Sequence, residues 1–335
     1  MKHGIPASAT RQAPSPQGRL AVDVRGLRKG FADHQAVHDV SIAIPEGTIH
    51  GILGPNGAGK TTTLRMILGI IEPDAGERSV LGQTDPARIA RQIGYLPEER
   101  GLYPTMKAAD VISFMGATRG MSFSEARRKG IAMLEENGLG HVAEKHIRKL
   151  SKGMAQTVQL LGTLVHEPRL VILDEPFSGL DAINQGRLEE LIRSLSAKGT
   201  TVLFSTHVIA HAERLCERVS IIAGGRVPFS GTVDEARNTL GSRVTLETAD
   251  GSGDWTTLLP EGAGHSRTTR GHGWTFELRS EGDETINPFL TDLMAKGARI
   301  LSISIERADL HEVFVHIAGK AAADSMAVND TDAHK

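Results

Sequence analysis

Residues 48–71 read TIHGILGPNGAGKTTTLRMILGII: an apolar segment of strand character, a glycine-rich turn, then a helix-forming run. Within it Gly54, Gly59, Lys60 and Thr61 satisfy G-x-x-x-x-G-K-[ST], and the match lies after a strand and before a helix, the context that gives it physical meaning. Glycines there let successive backbone N–H groups converge on phosphate oxygens, and the helix start adds partial positive charge. Gly54, Pro55, Asn56, Gly57, Ala58 and Gly59 are therefore a candidate phosphate cradle, continued by Thr62. Lys60 would neutralise β- and γ-phosphates, and the Thr61 hydroxyl would ligate Mg2+. Such a loop belongs to a strand–turn–helix unit. The alternation of strand and helix patterns after it points to an α/β fold with a largely parallel sheet.

The second constraint is LVILDEP, in which Asp174 and Glu175 end an apolar strand. An acid emerging from a buried strand is costly unless it meets a cation, and Mg2+ beside a triphosphate supplies one. Asp174 reads as the metal-side carboxylate. Glu175 reads as the general base for the water that attacks the γ-phosphate. His207 closes the strand VLFSTH, and in open α/β sheets ligands sit at the carboxyl ends of strands. It is placed to hydrogen-bond the γ-phosphate or to hold that water. Together these residues describe an ATPase using ATP and Mg2+.

The rest of the chain organises around this unit. Residues 1–19 and 320–335 have the polar, small-residue composition of mobile tails. From Leu20, LAVDVRGLRKGF and AVHDVSIAIPEG alternate like a short antiparallel β region. Helical patterns fill the stretch from about Met106 to Gly138, and strand–helix alternation resumes with RLVILDEP. Composition shifts near Leu240, and residues 241–319 read as a small α+β module ending in ARILSISIE and the amphipathic ADLHEVFVHIAG. Trp255 and Trp274 are expected in its core or on a strand face. His265 and His272 have no acid or cysteine at ligand spacing and suggest no metal site. No apolar run approaches the roughly 18 residues a membrane helix needs. A formal net charge of -2 gives no overall attraction to nucleic acid. The single cysteine, Cys216, forms no disulfide within the chain and reads as a buried thiol.

One stretch is not absorbed by this reading. LSKGM, Leu150 to Met154, opens a helix with Ser and Gly, as an anion-binding helix start does, although the chain already has a phosphate loop. Together the ordered motifs resemble the ATP-binding-cassette ATPase family over about Leu20 to Thr232. The resemblance implies a P-loop cassette for residues 20–240, with a helical subdomain at about 99–160. It also implies that LSKGM is the family's signature, which closes over the nucleotide of a second subunit packed head to tail. Ser151 and Gly153 would then contact the opposite γ-phosphate. SGLD, Ser178 to Asp181, matches the loop linking the two sites, and Phe31 matches the aromatic that stacks on adenine, with a core phenylalanine as the rival reading. Glu98, in GYLPEERGLYP, stands where relatives carry a glutamine, and is expected to contact Mg2+ directly or through water. Lys152 and Met154 replace the usual Gly and Gln, and Thr157 a common basic residue.

The EERGLY and LSKGM variants and the tail module resemble ATPase subunits of bacterial sodium-export (NatA-like) and drug-export (daunorubicin-resistance-like) systems. That implies separate transmembrane permease subunits, a second cassette subunit as partner (a homodimer), no nucleic acid, and a place on the cytoplasmic face of the membrane. Two other readings share the cassette chemistry: an importer subunit, and a soluble cassette ATPase of translation or DNA repair. The latter commonly carries two cassettes or a long coiled coil, and neither is present.

Overall fold

The structure, a computed structural model, describes residues 19–32, 34–99, 101–249, 256–258, 264–267, 274–280 and 283–320. The tails expected at 1–19 and 320–335 lie, apart from Arg19 and Lys320, outside them, as do Trp255 and His272.

A nine-stranded sheet forms the centre. Its parallel part is built from β3 (Ile49–Leu53), β5 (Ile93–Leu96), β6 (Leu170–Asp174), β7 (Thr201–Thr206) and β8 (Arg218–Ala223), in spatial order β8-β3-β7-β6-β5. Every residue of β3, β6 and β7 is buried. That is why these strands read as continuous apolar runs and not as alternation. The antiparallel wing expected from the first 45 residues consists of β1 (Leu20–Phe31), β2 (His34–Pro45) and β4 (Ala75–Val80), in order β4-β1-β2. β9 (Arg226–Thr232) joins the two parts, antiparallel to β8 and touching β2 at Asp39.

β4 and β5 were not legible in the sequence. The four residues of β5 carry no periodicity of their own, and they become a strand by pairing in register with β6, Ile93 opposite Leu170. As a result, Glu98 leaves directly from the edge of the sheet.

Helices α1 (Lys60–Ile67), α5 (Ala182–Ala197) and α6 (Ile209–Leu215) follow the strands that carry the candidate site. A separate apolar cluster, including Ile112, Leu134, Val158 and Leu161, is built by α2 (Ala108–Thr118), α3 (Phe123–Glu136) and α4 (Lys152–Leu164). Ser122 starts α3 by accepting the Glu125 N–H, a side-chain cap that satisfies a free donor of the first turn.

After α7 (Val233–Asn238), opened by a reciprocal Thr232–Glu235 capping box, the chain forms a second sheet. Its four antiparallel strands run β11-β12-β10-β13, comprising β10 (Ser242–Thr248), β11 (Gly264–Arg267), β12 (Trp274–Ser280) and β13 (Ile300–Arg307). α8 (Asp283–Ala295) covers one face, packing Phe289 and Leu293 against Val244, Leu246 and Phe276. Trp274 is half-buried and stacks on Phe276, as a strand-face residue does. The last helix, α9 (310–320), differs from the sequence reading. Its Leu310 and Val313 bury among Leu53, Ile209, Ile221 and Ala236 of the large-sheet layer, not in the small sheet. An ion pair between Arg243 and Glu312 at 2.6 Å ties the two layers together. The fold is thus α/β with a mostly parallel core sheet, an antiparallel β region, a helical layer and a small α+β part.

Candidate active site

β3 delivers the Gly54–Gly59 loop to the carboxyl edge of the parallel sheet. Close packing explains two of its glycines. A Cβ on Gly54 would lie 2.4 Å from the Ile222 carbonyl oxygen, and one on Gly59, whose φ is +102°, would lie 2.6 Å from that of Ala36. Neither approach is open to another residue. Lys60, the first residue of α1, is 6% exposed and donates to the carbonyls of Gly54 (2.8 Å) and Pro55 (3.2 Å). Its ammonium also lies 3.4 Å from Glu175 Oε1. A cavity of about 520 Å3 opens here, lined by Asn56, Gly57, Gly59, Lys60, Thr61, Thr62, Glu98, Glu175, Ser178 and His207, a size suited to a nucleotide-scale ligand.

The two carboxylates come from the end of β6 into the same place. Asp174 is 1% exposed. Its Oδ1 accepts from Thr61 Oγ1 (3.1 Å) and Ser205 Oγ (2.6 Å), whereas its buried Oδ2 has no hydrogen-bond partner. A buried carboxylate oxygen left without a donor, beside a threonine hydroxyl, is the donor chemistry of a hard divalent cation. The residues present therefore fit Mg2+. Glu175 sits at φ 46°, a left-handed backbone rare for a non-glycine residue. Its N–H donates to Ser205 Oγ (3.0 Å), and its Oε2 lies 2.9 Å from His207 Nδ1. Lysine and histidine thus converge on the Glu175 carboxylate.

Ser151 and Gly153 of the signature, and Asp181 of the neighbouring loop, stand outside the lining of this cavity, which Ser178 of that loop joins. Ser151 caps α4, its Oγ accepting the Met154 N–H at 3.2 Å. Gly153 lets α4 approach α5, where a Cβ would stand 2.9 Å from Asn184 Nδ2. That amide in turn donates to both oxygens of Asp181, the cap of α5, at 3.0 Å each. The Lys152 side chain lies over Gly179, its ammonium 2.7 Å from where a Cβ would be. Ser151, Gly153 and Asp181 do not line the P-loop cavity of their own chain, which is the geometry a head-to-tail arrangement needs.

The model of the family described as ABC transporter matches residues 37–178. The uncharacterised ABC transporter ATP-binding protein YhaQ of Bacillus subtilis is 41% identical over 225 residues, 67% of this chain and 76% of the relative. The chain belongs to the ABC transporter ATP-binding proteins. Among its relatives is the daunorubicin/doxorubicin resistance ATP-binding protein DrrA of Streptomyces peucetius, 29% identical over 314 residues, 92% of this chain and 95% of that one. A solved ATP-binding subunit of an ABC transporter superposes with a TM-score of 0.61 at 34% identity, covering 65% of this chain and 92% of its own. The protein is accordingly an ATP-hydrolysing subunit of an ABC transporter, a class that generally dimerises and pairs with transmembrane permeases. Among the described residues no helix is long and apolar enough to cross a membrane.

Within this ABC cassette the departures from the family pattern find distinct places. Glu98 is exposed and borders both the P-loop cavity and an adjoining one of about 310 Å3, shared with Lys152, Asp174 and Glu175. Met154 lines a different cavity of about 260 Å3, walled by Leu160, Leu188 and Leu191 of α4 and α5. An apolar side chain is at home there. Thr157 donates back to the Gly153 carbonyl at 3.1 Å. Phe31 ends β1 with 45% exposure, so it is not a core residue, and the Lys29 ammonium stands 5.8 Å from its ring centre. Cys216 is half-buried, with its Sγ against Gly51, and desolvation pushes its thiol pKa well up. Sequence reasoning missed Ser205, which holds the Asp174 carboxylate and the Glu175 N–H, and His34, which joins the cavity wall. The signal for Ser205 was a hydroxyl inside the apolar strand TVLFST, two residues before His207.

Proposed function

We propose that this chain is the ATPase subunit of an exporter. It works as a head-to-tail homodimer on the cytoplasmic face of the membrane, beneath separate permease subunits. Residues 20–240 form the cassette and 241–319 an accessory domain that returns its last helix to the cassette. The observation that carries the hydrolytic reading is the convergence of Lys60, His207 and Ser205 on Glu175, beside an Asp174 oxygen that lacks a hydrogen-bond donor.

In this reading the Gly54–Gly59 loop and Thr62 cradle phosphate through backbone and hydroxyl donors, and Phe31 offers an exposed face for adenine stacking. Thr61 and Asp174, with Glu98 nearby, would hold Mg2+, which neutralises charge on the β- and γ-phosphates when bound. Glu175 takes a proton from the water that attacks phosphorus as the bond to the ADP oxygen breaks, and His207 at Oε2 orients the carboxylate. Ser151 and Gly153 serve the site of the other subunit, Asp181 anchors the loop between sites, and ATP binding strengthens the dimer.

Residues 106–150 are the permease-facing layer. Tyr103 and Phe114, exposed and packed edge to face at 6.0 Å, form an apolar feature suited to such contact. Export is supported by the similarity to DrrA, a drug-resistance protein, across 92% of the chain.

The test is recovery of tagged Glu175→Gln protein from detergent-solubilised membranes of its host, with and without ATP. A multi-pass membrane protein enriched with ATP is expected. Recovery of ribosomes or DNA-bound complexes alone would replace the transporter reading with that of a soluble cassette ATPase.

A further inference from the structure

His211 takes no part in the chemistry above, yet it is a buried polar side chain held on both its face and its edge. It is 4% exposed in α6, and its ring lies flat on that of Phe177, with centroids 4.0 Å apart and planes 7° apart. Phe177 follows Glu175 by two residues, is itself buried, and meets Phe204 of β7 edge-on at 5.8 Å. On its polar edge His211 Nδ1 is 3.3 Å from Glu189 Oε1 of α5 and 3.0 Å from Arg214 Nη2. The Arg214 Nε and Nη2 atoms donate to the same Glu189 oxygen at 3.1 and 2.6 Å, and Arg193 Nη2 lies 3.7 Å from Oε2. Burial lowers the imidazole pKa, and Nδ1 stands within hydrogen-bond reach of both the Glu189 acceptor and the Arg214 donor.

Three segments therefore meet on one ring. Phe177 belongs to the stretch leaving Glu175. α6 is the helix that His207 introduces, and α5 is the helix capped by Asp181. Glu175 needs such support, because its left-handed φ of 46° is a conformation the chain relaxes from unless its neighbours are held. An aliphatic residue would fill the same space without the cost of burying an imidazole and its carboxylate partner. The choice of histidine is accounted for by a flat face on one side and a hydrogen-bonding nitrogen on the other.

We infer that His211 is a positioning residue for ATP hydrolysis: its ring clamps Phe177 against α5 and thereby fixes the angle at which Glu175 meets His207. The inference rests on Glu175 being the base. A wild-type Mg2+-dependent ATPase activity that Glu175→Gln abolishes establishes that point independently of anything His211 does.

The test compares His211→Ala, His211→Phe and His211→Gln in the full chain, measuring kcat, KM for ATP and equilibrium binding of a fluorescent ATP analogue. Small displacements of a reacting group cost large factors in rate. His211→Ala is therefore expected to lower kcat about ten-fold, with KM and analogue affinity within about two-fold of wild type. His211→Phe, which keeps the flat face, should recover most of the rate, whereas His211→Gln should not. Phe177→Ala should match His211→Ala, and the double variant should be no slower than either. If His211→Ala does not fold, the Phe and Gln variants decide the matter between themselves. An unchanged kcat, a loss of analogue affinity in step with kcat, a Gln variant faster than the Phe variant, or additive losses in the double variant would each overturn the inference.

Discussion

Replacing Ser205 by alanine isolates the contribution of the one hydroxyl that bonds both the Asp174 carboxylate and the Glu175 backbone N–H. Ser205 is fully buried, donates to Asp174 Oδ1 at 2.6 Å and accepts the Glu175 N–H at 3.0 Å. Losing a hydrogen bond to a charged acceptor costs about 1.5–3 kcal/mol, and a buried N–H left alone costs about 1–3 kcal/mol. Two effects offset part of this: Thr61 still donates to the same Asp174 oxygen at 3.1 Å, and the serine hydroxyl no longer has to be buried. The net loss is therefore about 2–3 kcal/mol, near the middle of the range for breaking a buried polar network. At about 2–4 °C per kcal/mol for a domain of this size, the melting temperature should fall by about 4–12 °C. Thermal unfolding followed by circular dichroism without nucleotide measures this. Steady-state kinetics should show kcat falling more than KM rises, because the freed peptide is the one holding Glu175 in its left-handed conformation. A melting temperature within about 1 °C of wild type together with an unchanged kcat would show that this hydroxyl holds neither group.

Glu175→Gln should slow turnover by about 100-fold or more with little change in ATP affinity, since a general base is removed and the phosphate loop is not. A near-normal ATPase rate would refute its assignment. Glu98→Gln should raise the Mg2+ concentration giving half-maximal ATPase activity, and an unchanged Mg2+ dependence would remove Glu98 from the metal site. Lys152 and Glu98 line one cavity with Asp174 and Glu175. In a double-mutant cycle Lys152→Gly and Glu98→Gln should therefore be non-additive in kcat, and strict additivity would show that their charges act separately. His50, fully buried and bonded to Ser220 Oγ at 2.8 Å, has its pKa lowered to about 3, chiefly by burial and secondarily by Arg218. The unfolded chain binds this proton near pH 6.5, so stability falls as pH drops from about 6.5 towards 3, by up to about 1.4 kcal/mol per pH unit. His50→Gln should flatten that acid limb in melts run between pH 6 and pH 4, and an unaltered slope would mean that His50 does not supply it.

Much of the fold was legible because its strongest signals are local. The P-loop is a contiguous strand, turn and helix, and its glycines are demanded by backbone approaches of 2.4 and 2.6 Å. The strands β3, β6 and β7 are continuous apolar runs, and each ends in or beside a chemically distinctive residue, Gly54, Asp174 with Glu175, and His207. By contrast, β5 was invisible, since four residues become a strand only by pairing with β6. Phe31 could not be told from a core residue, since burial is a property of what the chain brings alongside. The amphipathic pattern of α9 announced a buried face without saying against which layer it packs.

The sequence alone determined the reaction class and named most of the side chains proposed to carry it. The proposed phosphate cradle, metal carboxylate and base are each set by a few consecutive residues on a strand end. Their chemistry follows from residue type and from the period of the backbone. Only the tertiary structure decided how those pieces are held. Ser205 reaches across from β7 to the Asp174 carboxylate at the end of β6 and to the Glu175 N–H just beyond it, and His211 stacks on Phe177 while bonding Glu189 of another helix. Lys152 turns over Gly179, and α9 returns to the core of the large-sheet layer. Each of these is a contact between elements distant along the chain. It depends on how the sheet orders its strands and how the helices pack on it, and no local pattern of residues encodes that order.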